Sequence, residues 1–323
     1  MAKALVIHET GGPDVMRWED VEIGEPARGE VRLRHTAIGA NFVDIYYRSG
    51  LYPQPLPLVT GMEGAGRVEA VGKDVTNVKI GDRVCYSGVV GAYCETRLIP
   101  AASLIKIPKG ISDVQAAGML HRGLTAQILL RQVYKVKKGD TILFHAAAGG
   151  VGLIACQWAK ALDAAVIGTV GTEEKALLAK RHGCAHPVVY TRSSFVAAVK
   201  QITGGRGVPV VYDSIGKDTY PDSLDCLRPQ GLFVVFGAAS GPIPPVDTVM
   251  LMRRGSLFMT RMSVYHYLAD GAAFARAARD LFRMVLGGKI KIEVNQTYAL
   301  KDAARCHRDM AERKTTGSSV LIP

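Results

Sequence analysis

Cysteine pairs, long runs of one charge and long apolar segments are all missing from this chain of 323 residues. Its six cysteines are far apart and no two form a CxxC motif, which argues against a disulfide scaffold and a zinc-finger pattern. We therefore expect reduced, buried thiols in a cytoplasmic protein. The N-terminal segment reaches His8 and Glu9 too soon to form the apolar core of a signal peptide.

One uncharged stretch is long enough to be considered as a membrane span. Residues 142–159 carry no formal charge over 18 residues, the lower limit for a helix that crosses a bilayer. Three glycines and a loop signal interrupt this stretch, so a strand, a turn and a helix explain it better. We expect no membrane span.

The net charge of +11 suggests an anionic partner, because a basic surface attracts nucleotide phosphates, nucleic acids or acidic lipids. The basic residues are scattered, however, and they form no run of five or six. A nucleic-acid recognition motif and a cluster of aromatic and basic residues of the RRM type are also absent. A solvated basic surface is the first interpretation, and a phosphate-bearing ligand is the second.

Apolar patterning divides the chain into three parts. Residues 1–122 contain short alternating runs broken by glycine, which indicate an irregular β domain. Residues 123–262 alternate apolar strands with helices, which is typical of an α/β domain with a doubly wound parallel sheet, the Rossmann fold. Residues 263–323 are too few to form a domain, and we infer that they pack back onto the β domain.

The second part supplies six predicted strands, and their continuous runs of Val, Ile, Leu and Phe suit a buried parallel sheet. These strands are at residues 141–145, 165–170, 187–190, 209–213, 232–237 and 256–260. The predicted helices of this part are at residues 116–130, 151–161, 173–182, 195–203 and 220–227. The third part is predicted to contain helices at 274–286 and 300–312 and strands at 290–294 and 319–322.

A glycine-rich turn follows the first of these strands and opens a helix, which is the context of a dinucleotide-binding loop. Ala147, Gly149 and Gly152 occupy the three glycine positions of the pattern G-x-G-x-x-G. Gly149 would let the backbone approach a pyrophosphate, and Gly152 would let the helix pack close to the strand. The alanine is tolerable if the turn there keeps a negative φ. The helix N-terminus would then offer N–H groups to the phosphates.

The end of the second strand distinguishes NADP from NAD. An NAD site requires a carboxylate at this place for the ribose hydroxyls, but Val170, Gly171 and Thr172 stand there instead. A small hydroxyl residue and a cation one turn into the following helix, Lys175, suit a 2′-phosphate. We therefore favour NADPH as the cofactor.

The order of the parts resembles the medium-chain dehydrogenase/reductase superfamily, in which a β domain precedes a Rossmann domain and the chain then returns. Zinc alcohol dehydrogenases of this superfamily have a zinc-binding cysteine where Asn41 stands and a histidine where Met62 stands. Neither an amide nor a thioether replaces the ligands that zinc requires, so we expect no metal. Without this Lewis acid, hydride donation to a quinone or a conjugated enone needs less help than alcohol oxidation.

Residues 41–53 resemble the N-x-x-D-x-Y-x-R-x-G-x-Y signature of quinone oxidoreductases of the zeta-crystallin type. Similar segments continue to the end of the chain, at residues 123–126, 145–160, 168–172, 211–214 and 316–323. The chain is thus similar to the bacterial, zinc-free members of this family. The resemblance implies a GroES-like β domain beside a Rossmann domain, a homodimer, NADPH as cofactor and a quinone as acceptor.

The resemblance also implies roles for individual residues. Asn41, Tyr46 and Tyr52 would line the acceptor pocket, where an aromatic ring can stack on a quinone. The positions that would bind NADPH are Asn41, Phe42, Asp44, Tyr46, Thr125, Gly150, Val151, Gly171, Thr172, Lys175, Tyr190, Phe236, Gly237, Ala238, Arg261 and Thr315. An alternative role for Asp44 is to hold its own loop by hydrogen bonds. No residue is assigned as a catalytic acid.

Two alternatives to quinone reduction stay open. The first is a zinc-free enone or alkenal reductase on the same fold, because a sequence does not give the size of the acceptor pocket. The second comes from a different class and is the RNA binding of some zeta-crystallins. The basic charge is compatible with RNA binding, but no recognition motif supports it.

Overall fold

The structure is a computed structural model that describes all residues from Met1 to Pro323. The chain forms two compact units. The first unit contains Met1–Arg122, Ala269–Phe282 and Ile292–Pro323, and the second contains Gly123–Leu268 and Arg283–Lys291.

Residues 263–268 and 283–291 lie in the second unit, although we had assigned them to the returning C-terminal part. Gln157 holds the end of the second of these segments. Its side-chain amide donates to the Lys291 carbonyl at 3.0 Å and accepts from the Lys291 N–H at 2.8 Å. One side chain with both a donor and an acceptor therefore satisfies backbone groups that a strand would have paired.

Short strands dominate the N-terminal part. They are β1 (Ala2–Ile7), β2 (Met16–Val21), β3 (Glu30–Ala40), β4 (Leu58–Val59), β5 (Glu63–Val71), β6 (Arg83–Ser87), β7 (Thr96–Pro100) and β8 (Ile105–Lys106). Helix α1 (Phe42–Ser49) follows β3, and 3-10 turns lie at Pro13–Val15 and Ala101–Ser103. Helix α2 (Asp113–Ile128) comes next and ends in a wider π turn at Leu129–Val133.

The second unit alternates strands and helices. They are β9 (Thr141–Phe144), α3 (Gly150–Ala161), β10 (Ala165–Val170), α4 (Glu173–Arg181), β11 (His186–Val189), α5 (Phe195–Thr203), β12 (Val208–Asp213), β13 (Leu227–Val235), α6 (Thr248–Arg253), β14 (Phe258–Arg261) and α7 (Val264–Tyr267). The remaining elements are α8 (Gly271–Leu286), β15 (Val294–Ala299), a 3-10 turn at Leu300–Asp302, α9 (Ala303–Ala311) and β16 (Ser318–Ile322).

The six strands of the second unit form one parallel sheet in the order β11-β10-β9-β12-β13-β14. This is the strand order of a doubly wound Rossmann sheet, with the order reversing beside β9. All six residues of β12 are buried, as expected for a strand with a helix layer on each face. Ligands bind such sheets beyond the carboxyl ends of the strands, so the ligand site is expected at the loops after β9, β10 and β13.

The first unit contains a three-stranded sheet, β2-β1-β4, and a larger sheet in the order β15-β16-β3-β5-β6-β8, with β7 also paired to β3. The last strand of the chain lies in the middle of this larger sheet, because β16 pairs antiparallel with β3 and places Ser319 opposite Ala40. The core between these strands contains Leu33, Tyr93 and Leu321. The C-terminal strands thus complete the sheet from which α1 begins.

Three elements differ from the sequence prediction. The signature segment after β3, which we had treated as a loop, forms helix α1. The helix predicted at 220–227 is a 3-10 turn at Asp222–Cys226, because Pro221 and the bond from the Ser223 hydroxyl to the Thr219 carbonyl favour a short, tight turn. The strand predicted at 290–294 is also wrong, since the pairing with β16 begins only at Val294.

No helix of the chain combines the length and the apolar character that crossing a bilayer requires.

Candidate functional site

The turn between β9 and α3 has the close backbone packing of a dinucleotide-binding loop. A Cβ at Gly152 would overlap the Ala146 carbonyl oxygen and would lie 2.7 Å from the Ala147 Cα. The left-handed residue of the turn is Ala146, with a φ of 55°, and Ala147 at the first glycine position is not in that region. Alanine is therefore accommodated at position 147, whereas position 152 has room only for hydrogen.

The N-terminus of helix α3 has no side-chain cap. Its N-cap residue is Gly149, which has no side chain, so no side chain caps the first turn. The first N–H groups of a helix have no partner within the helix, and they carry the positive end of its dipole. Gly150 and Val151 lie in this first turn. The helix start is thus suited to an anion such as a pyrophosphate.

The ends of β10 and β11 lie together beside α4. The Tyr190 N–H donates to the Val170 carbonyl at 3.1 Å, and a Cβ at Gly171 would lie 3.3 Å from the Tyr190 hydroxyl. Thr172 is the N-cap of α4, where its hydroxyl oxygen accepts from the Lys175 N–H. Gly171, Thr172, Lys175 and Tyr190 are therefore neighbours, as the proposed 2′-phosphate pocket requires.

Two nearby charged residues are engaged with each other. Arg192 and Glu173 form an exposed ion pair of 2.7 Å. Glu173 is the first residue of α4, where an acid is stabilised by the helix dipole. This acid is thus occupied by an arginine.

The end of β13 is fixed to the end of β14. Arg261 donates to the Gly237 carbonyl at 2.6 Å. A Cβ at Gly237 would lie 2.5 Å from the Ser214 carbonyl oxygen, so this position also excludes a side chain. Phe236 donates its N–H to the Asp213 backbone carbonyl at 2.8 Å, and Ala238 is buried. Four of the predicted cofactor residues therefore lie at the carboxyl ends of β13 and β14, and Thr125 is a buried residue of α2.

A buried polar chain behind the glycine loop was missed in the sequence. His145 bonds the Thr169 hydroxyl at 2.8 Å through Nδ1 and the Ser223 hydroxyl at 2.9 Å through Nε2. Ser223 and the Asp213 carboxylate are 3.5 Å apart. Burial lowers the pKa of His145, so the ring is neutral at physiological pH. The chain joins β9, β10 and β12 at their carboxyl ends, and only its proximity in sequence to the loop could have suggested it.

In the first unit, Asn41 and Asp44 shape the start of α1. Asn41 is the N-cap, and Asp44, three residues later, accepts the Asn41 N–H at 2.7 Å through Oδ2. The Asn41 side chain faces the Asp44 N–H in return, so the two residues form a capping box. The alternative role that the sequence allowed for Asp44, holding its segment by hydrogen bonds, is the one for which the structure gives contacts.

Aromatic rings line the same helix and the turn after it. The Tyr46 and Tyr52 rings meet edge to face with centroids 5.2 Å apart, and Phe42 lies 6.4 Å from Tyr46. The Tyr52 N–H donates to the Tyr46 carbonyl, which returns the chain toward the helix. Thr315 lies three residues before β16, the strand that pairs with Ala40. The structure thus brings Phe42, Tyr46 and Tyr52 together, and Thr315 lies in the loop before β16.

A buried ion pair lies beneath Asn41, and sequence analysis did not find it. Glu63, at the start of β5, is fully buried and accepts from Arg122 at 2.8 Å, from the Asn41 side-chain amide at 2.9 Å and from the His121 N–H at 2.7 Å. Arg122 also donates to the Ala40 carbonyl. Burial raises the pKa of Glu63 in spite of the opposing effect of Arg122. We assign the pair as charged because the carboxylate accepts from three donors, one of them a guanidinium. The only signal in the sequence was the position of Glu63 directly after Met62.

Asp44 belongs to a second buried network. Its Oδ2 accepts from the Tyr93 hydroxyl at 3.0 Å, and that hydroxyl lies 2.9 Å from Nε2 of His307 on α9. The other ring nitrogen of His307 faces Arg48 at 3.2 Å. Burial raises the pKa of Asp44 to about 7 and lowers the pKa of His307 to about 3. The second carboxylate oxygen of Asp44 is buried without a partner.

Comparison with known proteins finds family matches in both units of the chain. Residues 27–109 match the alcohol dehydrogenase GroES-like domain, and residues 150–281 match the zinc-binding dehydrogenase family. A quinone oxidoreductase of Pseudomonas aeruginosa is 50% identical over the full length of both chains. A 2-haloacrylate reductase of a Burkholderia species is 49% identical and covers 100% of this chain and 99% of its own.

A solved structure of Escherichia coli quinone oxidoreductase, in complex with NADPH, superposes with a TM-score of 0.98 at 46% identity and full coverage of both chains. The chain belongs to the quinone oxidoreductase family. The family lies within the medium-chain dehydrogenase/reductase superfamily, and the predicted combination of a Rossmann sheet with a GroES-like domain is confirmed.

The residues of this family member do not fit a catalytic zinc. The chain contains no group of three or more His, Cys, Asp or Glu residues that could hold a metal ion. Asn41 directs its amide nitrogen at Glu63, and Met62 is a fully buried thioether. Two carboxylates lie near Asn41: Glu63 is neutralised by Arg122, whose guanidinium would repel a divalent cation, and Asp44 accepts the Asn41 N–H.

The residues do fit a phosphorylated dinucleotide. The uncapped start of α3, the close packing of helix on strand at Gly152 and the hydroxyl and cation after β10 are the features that such a cofactor uses. No carboxylate lies at the end of β10 in the place that NAD would require.

The loop after β9 yields a prediction with a matched pair of glycines. We expect Gly152→Ala to destabilise the protein by about 1–3 kcal/mol and to weaken NADPH binding at least tenfold, because the new methyl group meets backbone atoms that cannot rotate away. Gly149→Ala should be milder, since its Cβ would lie 3.2 Å from a single carbonyl oxygen. Urea unfolding and quenching of tryptophan fluorescence by NADPH measure both effects. Equal losses in the two variants would contradict this assignment.

The buried Asp44 carboxyl yields a prediction about pH. Its pKa of about 7 in the folded protein lies above the value near 4 of an unfolded chain, so its contribution to stability is complete below pH 4 and is lost as the pH rises to 7. We expect the free energy of unfolding of the wild type to fall relative to that of Asp44→Asn, by a few kcal/mol, between pH 4 and 7. Urea unfolding at four pH values measures the difference.

Asp82→Asn is the control for this experiment. The hydrogen bond from Lys106 lowers the pKa of Asp82, so its contribution is present above the unfolded pKa and is lost as the pH falls. The wild type should therefore gain stability relative to Asp82→Asn as the pH rises. A difference between wild type and Asp44→Asn that does not change with pH would show that Asp44 titrates normally.

Proposed function

We propose that this protein transfers reducing equivalents from NADPH to a quinone without a metal ion. The observation that carries the proposal is the phosphate-binding geometry of the second unit, an uncapped helix start beside a strand end that lacks a carboxylate. Full-length relatives named quinone oxidoreductases, and one solved with NADPH, support the same assignment.

NADPH supplies the hydride in such a reaction, and the protein's own residues bind and orient it. In the second unit we propose that the N–H groups at Gly150 and Val151 bind the pyrophosphate. Thr172 and Lys175, with Gly171 and Tyr190, take the 2′-phosphate. The nicotinamide half is bound by the backbone at Phe236, Gly237 and Ala238, by Arg261 and by Thr125.

In the first unit we propose that Asn41, Phe42, Asp44, Tyr46 and Thr315 bind the nicotinamide half of the cofactor. Asp44 acts there through the backbone of Asn41, since its carboxylate is buried against that N–H. The edge-to-face rings of Tyr46 and Tyr52 offer an aromatic surface for a quinone. Holding the acceptor and the cofactor in line supplies most of the rate enhancement.

A second candidate acceptor is an activated alkene. A relative named 2-haloacrylate reductase is as similar to this chain as the quinone oxidoreductases are. A conjugated alkene and a quinone are both electron-poor, so the same hydride donor can reduce either. The size of the space beside Tyr52 decides between them.

We also propose that the protein is a cytoplasmic homodimer. Strand β14 is at the edge of the parallel sheet, so one side of its backbone has no neighbouring strand. Large apolar side chains are exposed around it, with exposed fractions of 63% for Phe258, 60% for Met252 and 43% for Val249. An apolar, unpaired edge suits a second copy of the chain. The six free, buried cysteines suit a reducing compartment.

Steady-state rates test the proposed reaction. We expect NADPH-dependent reduction of 1,4-benzoquinone or a naphthoquinone, and a much lower kcat/KM with NADH. Parallel assays with 2-chloroacrylate and an alkenal measure the alternative. Turnover of the alkenes alone would replace the quinone proposal, and absence of any turnover with NADPH would overturn both.

Charge reversal at Lys175 tests the cofactor assignment in the same assay. Lys175→Glu should lower kcat/KM for NADPH by roughly tenfold or more and leave NADH almost unchanged, because only NADPH brings a 2′-phosphate to this position. Lys180→Glu is the matched control on the same helix, five residues away and exposed. A similar loss in both variants would point to a general effect of charge and not to a phosphate site.

The proposed dimer predicts a change in mass. Phe258→Asp should convert the protein to a monomer, because a charge would be buried at the pairing edge. Leu177→Asp, on α4, introduces the same charge at a site that is 57% exposed, and it should leave the mass unchanged. Analytical ultracentrifugation distinguishes the two states. A wild-type protein that sediments as a monomer would contradict the proposal.

A further inference from the structure

Three elements of the first unit meet at one buried carboxylate. The two oxygens of Glu63, on β5, accept hydrogen bonds from the Asn41 side chain at the N-terminus of α1 and from Arg122 and the His121 N–H on α2. Both charged groups are nearly inaccessible, with Arg122 exposed by 7% and Glu63 by 0%. A buried ion pair contributes little to stability compared with apolar residues of the same size. The position of the ion pair directly behind Asn41 therefore indicates a role other than stability.

We propose that Glu63 and Arg122 are positioning residues that lock the side-chain amide of Asn41 in one orientation toward the bound cofactor. The proposal deepens the proposed function and rests on it, because it takes Asn41 to face the nicotinamide.

The lock follows from the chemistry of the three groups. An ionised carboxylate only accepts hydrogen bonds, so it binds the NH₂ edge of an amide and rejects the carbonyl edge. A rotation of the Asn41 side chain by half a turn would exchange these edges and place two acceptors against each other. The 2.9 Å bond to Glu63 thus determines which edge of the amide is turned toward a ligand.

Arg122 keeps the carboxylate both charged and fixed. A guanidinium only donates hydrogen bonds, and this one spans from Glu63 to the Ala40 carbonyl, the residue next to Asn41. It opposes the rise in the pKa of Glu63 that burial causes. A protonated Glu63 would offer a donor to Asn41 and release the lock.

The backbone packing leaves the carboxylate no other position. A Cβ at Gly39 would overlap both the Ala117 carbonyl oxygen and the Glu63 Oε1 atom. Strands β3 and β5 are paired here, with Gly39 opposite Glu63. The carboxylate is therefore held between two strands and a helix, and its direction is set before a ligand binds.

A double-mutant cycle tests whether Glu63 acts through Asn41. We expect Glu63→Gln to lower kcat for quinone reduction about tenfold with a change of less than about threefold in the Kd of NADPH, since orientation and not affinity is lost. In an Asn41→Ala background the same change should cost less than about twofold, because the amide it orients is gone. A residue with only a structural role would reduce kcat by the same factor in both backgrounds.

Two further measurements follow the lock, and the first of them needs no turnover. In the cofactor-free protein, selective ¹⁵N labelling of asparagine should show the Asn41 side-chain NH₂ signal, assigned by its loss in Asn41→Ala, with slow exchange that becomes fast in Glu63→Gln. The deuterium isotope effect on kcat with NADPH labelled at the transferred position should also rise in Glu63→Gln, as hydride transfer becomes slower. If Glu63→Gln does not fold, Arg122→Lys enters the same cycle, because one ammonium cannot bind Glu63 and Ala40 as a guanidinium fork does.

The control is Asp113→Asn, which removes the partner of a different ion pair in the same unit, 2.5 Å from Arg83. It should lower the midpoint of urea unfolding without changing kcat or the Asn41 signal. Equal factors in both backgrounds of the cycle, or an Asn41 signal that does not respond to Glu63→Gln, would overturn the lock. If the wild type reduces no acceptor with NADPH, the proposed function fails, while the NMR measurement still decides whether the lock exists.

Discussion

The ion pair between Glu63 and Arg122 connects the elements on which the candidate site of the first unit depends. It joins β5 to α2, and through Asn41 and Ala40 it reaches the end of β3 and the start of α1. Loss of one partner would leave a charge buried without compensation, which costs roughly 3–5 kcal/mol in proteins. The pair is therefore a constraint on the fold as well as on the site, and neither member can change alone.

The second buried carboxyl group, Asp44, has no guanidinium partner of its own. Arg122 is committed to Glu63, and Asp44 relies on the neutral groups of Tyr93 and Asn41. With no cation in direct contact, its hydrogen bonds offset the effect of burial only in part, and its pKa rises to about 7 while one of its oxygens has no partner. The two acids, which both accept hydrogen bonds from Asn41, thus have different environments, because only Glu63 has a guanidinium partner.

The sequence predicted the second unit better than the first for a physical reason. Parallel strands buried on both faces are continuous apolar runs, so the strand at 165–170 was predicted to the residue. The helix at 195–203, which lies between two such strands, was also predicted to the residue. Helix α1 is short, and its apolar positions were hidden within a signature, so its helical form was missed. Glu63 and Arg122 are 59 positions apart, and no local pattern could show that they touch. The contacts of Asn41 and Asp44 depend on that kind of distant pairing, which only the folded chain displays.

The position of β16 in the larger sheet of the first unit has a consequence for biosynthesis. This strand ends one residue before the end of the chain, yet it pairs with β3 beside Asn41, and His307 from the preceding helix completes the network around Asp44. The second unit has all of its residues once Lys291 has been made. Because β16 comes after Lys291, β3 keeps an open edge until residues beyond the second unit have been made, and an open strand edge can pair with other chains.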